Sequence, residues 1–112
     1  MGVERFRRKP KADDREVQHA ARYTPGEPLD DLMKVARMAD PAAELAEVRF
    51  PGGRQVLLVA WMNVPDDHPA KIEYETVEPG DWLAYSPGYG FLYDTDDAGW
   101  RQFYEPVPKG SG

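Results

Sequence analysis

The chain contains no cysteine, which excludes disulfide staples, thiolate zinc sites, iron–sulfur clusters and cysteine nucleophiles together. Its only histidines, His19 and His68, lie far apart, and its only serines are Ser86 and Ser111. Ser86 precedes Pro87-Gly88 with no G-x-S-x-G elbow around it, so it reads as a turn residue. Neither a G-x-G-x-x-G fingerprint nor a lysine-terminated phosphate loop occurs, and Gly80, Gly88 and Gly90 therefore form no phosphate cradle. No apolar run approaches the roughly 20 residues that cross a bilayer, and Met1 to Lys11 lacks the apolar segment of a secretory signal. The expectation is a cytoplasmic protein without a membrane partner.

What is present is charge, turns and rings. The 112 residues carry a formal net charge of −6. Arg5, Arg7, Arg8, Lys9 and Lys11 against Glu4 give residues 1–11 a local balance of +4, leaving −10 for the rest. A body that acidic repels a phosphate backbone, since nonspecific nucleic-acid affinity comes from cationic side chains displacing counterions. Direct nucleic-acid binding is expected only through residues 1–11, read as a basic, solvated N-terminal arm. A basic arm on an acidic body also permits arm-to-body pairing within a homodimer.

Eleven prolines and ten glycines cut the chain into short pieces, the pattern of a β-rich domain with tight turns. Residues 17–23 read as a first strand. Leu29, Leu32, Met33 and Ala36 then fall at i, i+3, i+4 and i+7, which predicts a helix over Pro28 to Met38 with one apolar stripe. Asp40-Pro41 resembles a second N-cap and first-turn pair opening a short helical turn. Strands are expected at 48–50, 54–62, 71–77, 82–85, 91–93 and 100–104. Within the second of these, Val56-Leu57-Leu58-Val59-Ala60-Trp61-Met62 is apolar throughout, the mark of a central strand covered on both faces. In the third, Ile72, Tyr74 and Thr76 alternate with Lys71, Glu73 and Glu75, the pattern of a half-exposed strand. The fold class that follows is α+β: one bent antiparallel sheet of five or six strands, with one helix packed on it. Residues 12–108 would form a single domain, and 109–112 a tail.

Candidate chemistry is sparse. In Asp94-Thr95-Asp96-Asp97-Ala98-Gly99, a calcium loop would need an oxygen ligand where Ala98 stands, and Pro106 follows the Glu105 that would close it. An acidic hairpin loop is the simpler reading. His68, in Asp66-Asp67-His68-Pro69, lacks an orienting partner and a nucleophile at readable spacing, and reads as a solvated loop histidine. The richer feature is aromatic: Trp82, Tyr85, Tyr89, Phe91, Tyr93, Trp100, Phe103 and Tyr104 fall within 23 residues. Most of these rings should fill the core of a sheet short in Leu and Ile. Tyr85 and Tyr89 flank the Ser86-Pro87-Gly88 turn, where at least one should face solvent and anchor a protein partner.

Both ends of the chain resemble a family of small, uncharacterised phage and prophage proteins. The resemblance rests on Phe6-Arg7-Arg8-Lys9-Pro10, Pro79-Gly80-Asp81-Trp82, Gly90-Phe91-Leu92-Tyr93 and Tyr104-Glu105-Pro106-Val107, about a third of the chain. Where that family carries a Tyr-Pro-Cys-Lys-Pro-Asp type segment, this chain has Tyr93-Asp94-Thr95-Asp96-Asp97. The resemblance implies a phage-encoded accessory protein of the bacterial host cytoplasm and no particular activity.

The resulting expectation is a non-enzymatic binding protein with no cofactor, docking a host or phage protein through Tyr85, Tyr89, Asp81, Asp94, Asp96 and Asp97. In its sharper form it inhibits a host defence or nucleic-acid enzyme by competing for a basic groove. Two alternatives stand beside it: a small-ligand or metal-binding domain centred on Asp94, Asp96, Asp97 and His68, and a virion or assembly component.

Overall fold

A computed structural model describes residues 2–8, 17–64 and 67–107, with only the backbone of Arg8. In chain order the elements are β1 (Glu4–Arg8), β2 (Gln18–Arg22), α1 (Asp30–Ala39), β3 (Glu44–Arg49), β4 (Gln55–Asn63), β5 (Lys71–Val77), β6 (Trp82–Ser86), β7 (Phe91–Thr95), α2 (Asp97–Phe103) and β8 (Tyr104–Pro106). The fold is α+β. Its strands divide into two antiparallel sheets, one of five strands ordered β7-β6-β2-β1-β8 and one of three ordered β3-β4-β5. The division was not visible in the sequence, because hydrophobic periodicity reports that a strand's two faces differ but not which strand lies beside it.

The five-stranded sheet is buried on both faces, and its alternation shows how. Ala21 and Leu83 point into the larger core, which they form with Leu32, Val35 and Ala36 of α1, Leu57, Val59 and Trp61 of β4, Val77 and Leu92. Their neighbours Ala20, Trp82 and Ala84 point the other way, into a second core with Phe6 and Trp100. Tyr23, fully buried, donates its hydroxyl proton to Glu47 Oε2 at 2.8 Å and so ties the end of β2 to β3.

Three local expectations are corrected. Residues 4–8, assigned to a loose basic arm, form β1, hydrogen-bonded between β2 and β8, with Phe6 fully buried and Arg7 paired with Glu105 at 3.3 Å. A single large ring supplies the reason: Phe6 meets Trp82 and Trp100 edge-on at 5.2 and 5.0 Å. Residues 9–11 of that arm lie outside the described residues. Asp40 opens no helix. Its carboxylate accepts from the Ala42 N–H at 2.9 Å and from the Met62 N–H at 2.8 Å, so it closes a turn and caps β4 while the chain enters β3. Finally, residues 97–103, expected as the end of an acidic loop and a strand from 100 to 104, are helical, and the strand begins only at Tyr104. Trp100 sinks into the second core while Asp97 and Arg101, one turn apart, form an ion pair at 3.0 Å. Ring-rich composition favours a strand locally, and burial of one indole from a two-turn helix overrides it.

α1 starts two residues later than its apolar stripe implied and ends one later, with Asp30 and Asp31 in its first turn and Arg37 in its last. The β3–β4 hairpin turns through Gly52 and Gly53, whose φ of 94° and 92° lies in the region that side chains avoid.

Candidate functional site

The aromatic cluster splits into a sealed part and an exposed part, joined by a chain of rings. Trp82 and Trp100 are buried. From Trp100 the rings run outward: Tyr93 at 6.0 Å, Phe91 5.5 Å beyond it, and Tyr89 5.8 Å beyond that. Tyr93 is half-buried, and its hydroxyl donates to Oε1 of the buried Gln18 at 2.7 Å. Phe91 is 37% exposed, and Tyr89, on the β6–β7 turn, is 80% exposed. Tyr85 belongs elsewhere: it is half-buried and packs against the larger core on the opposite face of β6.

The acidic residues separate in the same way. Asp94 in β7 and Asp96 just beyond it are exposed. Asp81, just before β6, is half-buried. Burial pushes its carboxyl up, and the negative charges of Asp96, Glu78, Asp94 and Asp97 push it further. Asp97 is engaged within the fold. Its Oδ1 accepts from Trp82 Nε1 at 2.8 Å and from Arg101 Nε at 3.0 Å, and its Oδ2 lies 3.6 Å from a guanidinium nitrogen of Arg22. Those donors, led by the Trp82 indole, hold its carboxyl below the usual carboxylate range against the opposing effect of desolvation. The guanidinium groups of Arg22 and Arg101 lie 5.9 and 5.6 Å from the centre of the Trp82 ring. A small cavity of about 100 Å³ opens beside them, lined in part by Glu4, Glu27 and Asp31.

Sequence reasoning missed Glu75. This residue projects from β5 toward the interior, where it accepts from Trp61 Nε1 at 3.3 Å. Burial is the main force raising its carboxyl above the ordinary value, and Asp94 and Glu73 add to it. The signal was present in the alternation of β5, but the sides are reversed: Glu73 and Glu75 are the half-buried side, while Ile72 and Tyr74 are exposed. Cross-strand partners decide this, since Glu75 sits opposite Val59 and Tyr74 opposite Ala60.

Among the described residues, no group of three His, Asp or Glu side chains gathers closely enough to hold a metal ion, so Asp94, Asp96, Asp97 and His68 do not assemble into one. His68 is exposed on the β4–β5 connection, and its neighbour Asp66 lies outside the described residues. His19, half-buried in β2, is pushed below its ordinary value by burial and by Arg5. It sits directly opposite Arg5 on β1 and Tyr85 on β6. Ser86 is buried at the end of β6. Among the described residues, no helix is long and apolar enough to cross a membrane. The chemistry this surface offers is therefore recognition: exposed rings seated on buried ones, with exposed Asp96 beyond the end of β7 and Asp94 on the strand's opposite face, toward Glu75. No family model, no curated protein and no solved structure matches the chain.

Proposed function

We propose that this chain is a non-enzymatic accessory protein of a phage or prophage that binds a host or phage protein through the edge formed by β7 and the turn before it. The observation that supports this reading is the ring chain from Trp100 to Tyr89, which seats two exposed rings on a buried foundation. A ring held in place before contact loses little conformational freedom on binding, so its buried area converts more fully into affinity. Asp94 and Asp96 follow the exposed rings in sequence, Asp96 beyond the end of β7 and Asp94 on the opposite face of that strand, and their charge biases the partner toward a basic surface, the groove of a nucleic-acid or defence enzyme of the host being the sharpest case. The complex would form in the bacterial cytoplasm.

The test compares the wild-type chain with two immobilised variants, Tyr89→Ala with Phe91→Ala and Asp94→Asn with Asp96→Asn, as baits for host lysate. A protein captured by the wild type should be lost from the ring variant and captured more weakly by the carboxylate variant. Its retention by the wild type should also fall as salt is raised. Equal capture by all three baits would defeat the proposal.

A further inference from the structure

The outer face of the three-stranded sheet carries almost no charge, although the chain as a whole is highly charged. Leu57, Val59 and Trp61 of β4 enter the larger core, so Leu58, Ala60 and Met62 point away from it. The pairing register lays Ala46 opposite Leu58, Val48 opposite Val56, Tyr74 opposite Ala60 and Ile72 opposite Met62 on that same outer face. Glu44 is the single charged residue among its ten positions, and it lies at the edge. Tyr74 is 64% exposed, Ile72 48% and Met62 37%. On the same face Val56, near the β3–β4 turn, is buried, and Leu58 and Ala60 are half-buried.

Two features of the sequence acquire a meaning here. β4 is apolar on both sides, as in strands covered from above and below, yet on its outer side the fold fully buries only Val56 and leaves Leu58 and Ala60 half-buried and Met62 exposed. β5 places its carboxylates toward the interior, at a cost visible in the raised Glu75, and leaves its apolar side outward. Such an arrangement makes physical sense if the outer face is itself buried in the working state.

We infer that this face is a two-fold interface at which a second copy of the chain packs sheet against sheet. Strands of six, nine and seven residues, at about 3.3 Å rise and about 4.8 Å width each, give a face of about 350 Å², so two copies close off roughly 700 Å² in projection. Side chains standing out from the sheet make the accessible area larger, which reaches the roughly 1,000 Å² that a specific interface needs. Charge selects the same arrangement. Two copies of net charge −6 repel over most of their surfaces, and this face lets them meet with almost no charge apposed. Edge strand β3 carries Glu44, Glu47 and Arg49, which disfavour open-ended pairing through its edge and leave the closed, face-to-face dimer.

Analytical ultracentrifugation of the full chain, from micromolar to millimolar concentration, tests the inference with three variants. The wild type should sediment with twice the mass of one chain at the upper end of that range. Ile72→Lys with Tyr74→Lys, and separately Met62→Lys, should each weaken association about tenfold or more by setting like charges face to face. Both change exposed side chains, and circular dichroism should confirm that the fold is kept. Tyr89→Ala with Phe91→Ala should leave association unchanged, because those rings lie on the other sheet. A wild type that stays monomeric throughout would overturn the inference and leave the face to a different protein or to residues 9–16 or 108–112. A dimer that survives both lysine variants, or one lost in the Tyr89/Phe91 variant, would overturn it as well.

Discussion

The indole nitrogen of Trp82 donates to Oδ1 of Asp97 at 2.8 Å, joining a buried ring of β6 to the first residue of α2. That bond satisfies the one polar atom of a Trp that is 1% exposed and orients the helix carrying Trp100. Asp97→Ala leaves the donor without an acceptor and should cost about 1–3 kcal/mol. Thermal unfolding followed by circular dichroism measures this, and Asp97→Asn, which keeps an acceptor, should lose less. The pH dependence has a defined sign. A carboxyl held low in the folded state contributes stability above its unfolded value of about 4, and that contribution is lost as pH falls through the lower folded value. The alanine variant should therefore differ most from the wild type near neutrality and least in strong acid.

Glu75 has the opposite sign. Its carboxyl is raised by burial and by Asp94 and Glu73, so the folded state favours the protonated form. Stability from this group is fully present below the unfolded value and declines as pH rises through the folded one. Glu75→Gln keeps an acceptor for Trp61 and removes the charge. At pH 7 it should raise Tm by about 2–4 °C, an effect on the order of 0.5 kcal/mol, and the gain should vanish in acid. A variant less stable than wild type at pH 7 would contradict this.

β1 should be indispensable. Phe6 is fully enclosed by the rings of Trp82 and Trp100, and Phe6→Ala should cost about 3–5 kcal/mol, a large part of the stability of a chain this size. Removing residues 1–8 should abolish the cooperative unfolding transition. A truncated chain with an unchanged melting curve would show that the segment adds nothing.

The ring chain should divide energetically where its burial divides. Tyr93→Phe deprives the buried Gln18 of a hydroxyl donor and should cost about 1–2 kcal/mol. Tyr89→Ala should change stability by less than about 0.5 kcal/mol, because the side chain is largely in solvent. Chemical denaturation of the two variants separates these outcomes.

Much of the fold was legible in the residues themselves. The Leu32–Ala36 stripe marked α1, the continuous apolar run marked β4, and the Pro-Gly turns bounded β5, β6 and β7 to within two residues, because these signals depend on periods and backbone preferences that act locally. The candidate surface was legible in part. Tyr89 stands exposed on its turn, but Tyr85 and Asp97 were tied into the fold by partners in β2, β6 and α2 that no spacing reveals. Only the tertiary structure could split the strands into two sheets, draw Glu4–Arg8 into the centre of one, and turn Trp100 inward on a helical turn. It also chose which side of β5 faces water. Alternation states that two sides differ, while the neighbouring strand, here β4 with Val59 and Trp61 turned inward, decides which of them is buried.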